Sequence, residues 1–399
     1  MSWPLRTLDE LGYVSRGRSR HRPRDAAHLY GGPYPFIQTA DVKHANLYIK
    51  EYTQTYSEAG LAQSKLWNAG TLCITIAANI ADTAILDIDA CFPDSVIGFI
   101  PDKSKADARF IKYLFDALLQ KRYQRFTQGA AQDNLSQAKL LSLKFPVPDL
   151  TTQQMIADRL SAYDDLIENN RRRIQLLEQA ARLLYKEWFV HLRFPGYEHV
   201  KIEDGVPEGW EKTTIGAASS FISRGITPKY DNEASGLVIN QKCIRHHMIN
   251  LDLARRQSKE PPVQKLVRFG DVLINSTGAG TLGRVAQYLF DLGNCTVDSH
   301  VTIVRPAEYL PVHFFGVHLA NMESYIATLG RGATNQTELS RDSIAALPIL
   351  VPSNAIGTMY GDVVSNLFRQ IRILTEQIRN LRKARDLLLP RLMNGEIAV

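Results

Sequence analysis

Residues Arg16-Gly17-Arg18-Ser19-Arg20-His21-Arg22-Pro23-Arg24 place five arginines at alternate positions. Alternate side chains of an extended segment point the same way, so this run makes a comb of guanidinium groups suited to phosphates. Other groupings offer chemistry in form only. Gly278-Ala279-Gly280-Thr281-Leu282-Gly283 has dinucleotide-turn spacing and follows an expected strand. Arg284 to Leu289 then reads as a second strand, where a pyrophosphate would need a helix N-terminus, so a tight turn is expected. Pro101-Asp102-Lys103-Ser104-Lys105 lacks nuclease spacing and reads as a surface loop. Cys243 and His246 have no second Cys or His pair at finger spacing, so no metal site is expected. A phosphate-binding loop is missing, and so is the Asn-Pro-Pro-aromatic or Asp-Pro-Pro-aromatic sequence usual in adenine methyltransferases. By itself the chain reads as catalytically silent, with no cofactor of its own.

Composition sets broad bounds. The 399 residues are 45% hydrophobic, enough for two cores, and carry a net charge of +6, which agrees with a polyanionic partner. No apolar run reaches the roughly eighteen residues of a membrane span. The N-terminus, with Trp3, Arg6 and Asp9, does not read as a signal peptide. Four cysteines without metal-ligand spacing are too few for a disulfide scaffold, and a reducing, cytoplasmic setting is expected.

The elements that would position the arginines are organised around one stretch, a helix expected over Gln153 to Phe189. Ile156, Leu160, Tyr163, Ile167, Asn170, Ile174, Leu177, Ala181, Leu184 and Trp188 alternate four and three residues apart. That rhythm draws one stripe along a helix and asks for a partner helix. Thr151 and Gln154 are spaced as a capping box at its start. At 1.5 Å per residue the helix would run roughly 55 Å. Exactly the same rhythm returns 204 residues later at Tyr360, Val364, Leu367, Ile371, Leu374, Ile378, Leu381, Arg385, Leu388 and Leu392, with Arg385 the one break in the apolar series. Asn170 reads as a register-setting polar residue in the seam. Pro390 is expected to bend or end the second helix.

The globular parts repeat as well. Cys91 and Cys295 are 204 residues apart and suggest equivalent interior strand positions. Asp94-Ser95 answers Asp298-Ser299, and Gly70-Thr71-Leu72-Cys73-Ile74 answers Gly270-Asp271-Val272-Leu273-Ile274. The polar turn Gln128 to Ser136 answers Gly332 to Ser340, and Trp3 answers Trp210. Short strands are expected at Tyr34 to Val42, Thr71 to Ala77, Ala84 to Ile88 and Val96 to Ile100, with a helix from about Ala106 to Arg125. The fold class is α+β with an internal duplication. The framework repeats while the residues between its fixed points differ, as suits one scaffold carrying two different surfaces.

Two variable units, each followed by a long helix with a shared seam, resemble the specificity (S) subunit of type I restriction-modification enzymes. The resemblance covers essentially the whole chain. It is carried by Pro35-Phe36-Ile37-Gln38-Thr39-Ala40-Asp41-Val42, the Gly70 and Gly270 strands, the two Asp-Ser pairs, the turns before Leu135-Ser136 and Leu339-Ser340, and the ending Leu387 to Ile397. Val238-Ile239-Asn240-Gln241-Lys242 only loosely echoes Ile37 to Val42. The resemblance implies target recognition domains at 1–150 and 195–352, and spacer helices at 151–194 and 353–399 that form an antiparallel coiled coil with a pseudo-twofold axis. It implies that each domain reads half of a bipartite site in double-stranded DNA, and that the helices fix the spacing and dock two methyltransferase (M) subunits. S-adenosylmethionine would belong to M, and ATP and Mg to restriction (R) subunits. Adenine methylation requires the base to leave the stack, and that step would be M's. Cleavage would come with R.

Backbone contacts suit Arg and Lys, adenine edges suit Gln and Asn, and guanine edges suit Arg. The candidates are Arg18, Arg20, Arg22, Gln38, Thr39, Lys103, Gln128 and Gln132 in the first domain. In the second they are Arg224, Lys229, Tyr230, Asn240, Gln241, Lys242, Arg245, Arg331, Asn335 and Gln336. Two alternatives stay open on the residues alone. One is a duplicated coiled-coil scaffold for proteins without DNA contact. The other is the recognition subunit of a restriction system that lacks a translocating motor.

Overall fold

The computed structural model of the chain describes residues 3–77, 80–120, 135–332 and 337–397. The chain divides into two compact units, Met1–Arg171 with Glu376–Val399, and Arg172–Thr375. Each mixes helix and sheet.

In the first unit the strands of the two main sheets are β1 (Gly12–Arg16), β2 (Tyr30–Phe36), β3 (Tyr48–Ile49), β4 (Gln54–Tyr56), β5 (Leu66–Trp67), β6 (Leu72–Thr75), β7 (Thr83–Leu86), β8 (Ala90–Cys91) and β9 (Val96–Pro101). One sheet has the order β1-β9-β6-β7-β3 and the other β4-β2-β8-β5. Between β2 and β3 lies helix α1 (Thr39–His44); α2 (Ala108–Phe115) follows β9, and the long α3 spans Leu150–Tyr185. In β6 the run Leu72-Cys73-Ile74-Thr75 is buried on both faces, as a strand between two apolar layers must be. Leu72 and Ile74 face Phe110, Ile111 and Leu114 of α2 within one core, while Cys73 joins Trp67 and Phe92 in another.

The second unit repeats this plan. Its strands are β10 (Ser219–Arg224), β11 (Gly236–Ile239), β12 (Arg255–Gln257), β13 (Val272–Asn275), β14 (Val285–Gln287), β15 (Cys295–Val297) and β16 (Val301–Pro306). The sheets run β10-β16-β13-β14 and β12-β11-β15. Val272 and Ile274 of β13 face the core shared with Phe314 and Phe315 of α4 (Val312–Asn321), and Leu273 faces the other side. Cys91 pairs with Phe36 and Cys295 with Leu237, both in parallel bridges, so the two cysteines hold equivalent interior places. Each unit is also tied off alike: Leu5–Arg6 pairs with Phe145–Pro146, and Glu211–Thr214 with Pro348–Val351.

The second long helix, α5, spans Asn354–Met393. Both unit boundaries fall inside long helices, between Arg171 and Arg172 and between Thr375 and Glu376. In the first unit the Asn170 amide donates to Gln377 Oε1 at 3.2 Å, and Arg385 donates to Asp164. Numbering falls on one segment as it rises on the other, so these two segments run antiparallel. Ile156, Leu160, Ile167, Asn170, Ile174, Ala181 and Trp188 are buried, as are Tyr360, Val364, Ile371, Leu374, Ile378 and Leu392. Tyr163, Leu177, Leu184, Leu367, Leu381 and Leu388 are half-buried.

Several sequence expectations are corrected. The long helix begins at Leu150, and the carboxylate of Asp149, accepting from Thr152 N at 3.0 Å, caps it where a Thr151 box was expected. Pro390 meets its expectation, because it lies in the last turn of α5, which ends at Met393 and so has few backbone bonds to lose there. Tyr34 to Val42 is the end of a strand followed by a helix, because Gln38 and Asp41 form a capping box that turns the chain. The helix after β9 has α geometry over Ala108–Phe115 and widens into a π turn over Asp116–Gln120, while the remainder of its expected length, 121–125, lies outside the described residues.

Candidate nucleic-acid interface

Each unit carries a Ser-Arg-Gly corner at the end of its first sheet strand: Ser15-Arg16-Gly17 and Ser223-Arg224-Gly225. Gly17 N donates to Val96 O at 2.8 Å and Arg18 N to Phe92 O at 2.9 Å. Gly225 N donates to Val301 O at 3.1 Å and Ile226 N to Val297 O at 3.0 Å. A Cβ on Gly17 would stand 2.4 Å from the carbonyl oxygens of Phe92 and Pro93, and one on Gly225 would stand 1.9 Å from Val297 O. Only glycine lets the chain cross this closely. The arginine before it is thereby fixed: Arg16 Nε donates to Asp94 O at 2.9 Å, while Arg224 pairs with Glu338 and donates to Leu339 O at 3.0 Å.

The arginine comb follows the first corner. Arg16, Arg18, Arg20, Arg22 and Arg24 are exposed, while Gly17 and Ser19 between them are buried. The backbone is pinned from several sides. Gln63 Oε1 accepts from Arg20 N at 2.6 Å and His21 N at 3.0 Å, and Ser64 Oγ donates to Arg18 O at 2.8 Å. Arg24 makes a two-pronged contact with Asp94 at 3.0 Å, and Arg22 bends back to Ser19 O and His21 O. Arg18 and Arg20 are left presenting their guanidinium groups to solvent, without an ion pair among the described residues. A held backbone with outward cations costs little further ordering when an anion binds.

In the second unit a polar cluster surrounds the corner. Thr277 bridges to Glu338, and its hydroxyl bonds His300 Nδ1 at 2.8 Å. The Gln241 amide donates to Thr277 Oγ1 at 2.8 Å and to Thr277 O. Arg331 and Glu338 exchange backbone bonds at 2.9 and 2.8 Å, which sets Arg331 beside Arg224 through their common neighbour. Burial pushes the Asp298 carboxyl up, against the pull of the His300 N–H that it accepts at 3.0 Å. The structure therefore brings Arg224, Gln241 and Arg331 together. The Gly278–Gly283 segment alongside is a turn, with Thr281 N and Leu282 N both donating to Gly278 O and β14 following at once.

Other candidates stand apart from this cluster. Lys229 and Tyr230 are exposed beside β12, where the Arg255 guanidinium lies 3.4 Å from the Tyr230 ring centroid. Asn240 caps a short turn by accepting from Lys242 N, leaving the Lys242 side chain exposed, and Arg245 is exposed on the strand after it. In the first unit Gln38 donates to Gln54 Oε1 at 2.6 Å at the start of α1, Thr39 is the first residue of that helix, and Lys103 is exposed after β9. Gln128, Gln132, Asn335 and Gln336 lie outside the described residues. Arg16 was missing from the sequence candidates. The Ser-Arg-Gly tripeptide recurring at the same structural point in both halves is the pattern that would have found it.

Residues 2–179 match the family model described as the type I restriction modification DNA specificity domain. Those residues belong to that family, and the whole chain is similar to type I specificity subunits. It is 25% identical to the type I restriction enzyme MjaIX specificity subunit of Methanocaldococcus jannaschii, an alignment covering 100% of this chain and 94% of the relative. With the HindI specificity subunit of Haemophilus influenzae it shares 23% identity over 97% of this chain and 98% of the other. The crystal structure of a type I restriction-modification S subunit from M. genitalium has the same fold, with a TM-score of 0.59 at 18% identity over 98% of this chain and 96% of that one. No group of His, Cys, Asp and Glu among the described residues could hold a metal. No helix among them is long and apolar enough to cross a membrane.

Proposed function

We propose that this chain gives a restriction-modification complex its bipartite target, with 1–150 and 195–352 each reading one half-site in duplex DNA. The helices of 151–194 and 353–399 pair as an antiparallel coiled coil with a pseudo-twofold axis and set the spacer between half-sites. Spacing must be rigid because major-groove edges return to one face only every helical turn, about 10 bp. The outer helix faces dock two M subunits, which bring S-adenosylmethionine and methylate adenine. R subunits bring ATP, Mg and cleavage. This chain itself contributes no catalytic group.

One observation carries this reading. The same strand framework is built twice around a glycine-pinned arginine, and the polar residues set on it differ between the two copies. Methylome sequencing of cells holding the chain and its native M partner tests it. A split adenine-methylated motif should vanish when the chain is removed, and exchanging residues 1–150 should alter one half of the motif only. If methylation by active M proceeds unchanged without the chain, the reading fails and a protein scaffold takes its place.

A further inference from the structure

In the first unit the helix seam holds a charged contact that its repeat lacks. Asp164 of α3 is buried, 3% exposed, and accepts from the Tyr113 hydroxyl of α2 at 2.5 Å on one oxygen and from Arg385 of α5 on the other. Asp386 holds the same guanidinium from outside at 2.8 and 3.0 Å. The repeat of 204 residues equates Asp164 with Phe368 and Arg385 with Ala181. In the second unit those places are apolar: Phe368 lies against His313, and Ala181 is 1% exposed. An α3 paired in the same manner with a second α3 would set Asp164 against Ala181. An α5 paired with a second α5 would set Arg385 against Phe368. Either leaves a buried ion without its partner, which is strongly unfavourable.

We propose that Asp164, Arg385 and Tyr113 form a pairing code that makes α3 choose α5 and reject a second copy of itself. The proposal rests on the antiparallel helix pairing above. Such a device is needed because the two seams have nearly the same apolar pattern, and pattern alone does not distinguish partners.

The test uses the full chain carrying Arg173→Cys, which flanks the seam beside Ile174 close to the point midway between 164 and 181, where two antiparallel α3 helices would cross with this position facing its copy. The four native cysteines are buried. A short bis-maleimide then links two chains where α3 lies on α3, and the linked fraction is read on a denaturing gel. Asp164→Ala should raise that fraction about tenfold. Arg385→Leu should raise it in the same direction, and serves if the first variant folds poorly. Exchanging the charges, Asp164→Arg with Arg385→Asp, should bring it back toward the starting level. If the single variants lower thermal stability while the linked fraction stays flat, the contact only stabilises and the proposal is overturned. A separate Asn170→Cys, Gln377→Cys chain should close an internal disulfide; its failure would instead sink the helix pairing itself.

Discussion

The imidazole of His313 lies flat against the ring of Phe368, with centroids 4.6 Å apart and planes within 3°. Its Nδ1 has no hydrogen-bond partner, and burial holds its pKa down to about 4 against an ordinary 6.5. His318, five residues on, is likewise lowered to about 4 by burial, although its Nε2 donates to Pro348 O at 3.0 Å. Both favour the neutral ring in the folded state.

The sign of the pH effect follows. Below the unfolded value of 6.5 the unfolded chain binds protons that the folded chain does not, so stability is full above that pH and is lost as pH falls toward about 4. Each histidine contributes at most on the order of 3 kcal/mol. Urea unfolding of the second unit between these limits should steepen with acid, and His313→Phe should flatten the slope. An unchanged slope in that variant would assign the acid sensitivity elsewhere.

Gly17 and Gly225 should not tolerate alanine. The added carbon would meet carbonyl oxygens at 2.4 and 1.9 Å, which forces the strand end away from its partner. A loss of about 1–3 kcal/mol is expected for each. Denaturant midpoints measure it, and the Gly225 variant should lose more.

Arg18→Ala with Arg20→Ala should weaken DNA binding evenly across sequences. If both side chains contact phosphates, the slope of log affinity against log salt becomes shallower by about 2. Fluorescence anisotropy over a salt series measures this. A change confined to one target sequence would mean base reading, not phosphate contact.

Arg305 is buried in the second unit against Asp271, with Nε and one terminal nitrogen 2.8 and 2.7 Å from the two carboxylate oxygens. Arg305→Met strands the Asp271 carboxylate and should cost about 3–5 kcal/mol. Adding Asp271→Leu should recover much of that loss in thermal unfolding. No recovery would mean that packing by the arginine stem dominates.

The helix seams were legible because a four-three rhythm is a property of one strand of sequence and needs no knowledge of the partner. Arg385, the break in that rhythm, was not legible as half of an ion pair. Its partner Asp164 sits beside seam position Tyr163 and lies 221 residues away. The duplicated sheets could be read from matched pairs such as Asp94-Ser95 and Asp298-Ser299, whereas the first-sheet corners passed unnoticed because their arginines do different things. Arg16 bonds a backbone oxygen, and Arg224 pairs with Glu338. Gln241 is a residue type suited to adenine edges, yet Thr277 engages its amide nitrogen, a contact that the turn after β13 creates. Local capping chemistry also misled: Thr151 and Gln154 have the right spacing, but Asp149 lies earlier and binds the helix end first.

The first unit draws its core from far apart in the chain. Leu392 and Met393 are buried with Ile156, Leu160 and Leu8. During synthesis the part of the protein made first is therefore the part completed last. Its helix must wait, with an apolar stripe uncovered, until the ribosome has released residues beyond 393. The second unit, continuous from Arg172 to Thr375, has all its residues earlier. A nascent chain stalled near residue 375 would thus expose the stripe on Ile156 and Leu160, giving chaperones or proteases a mark of incomplete translation.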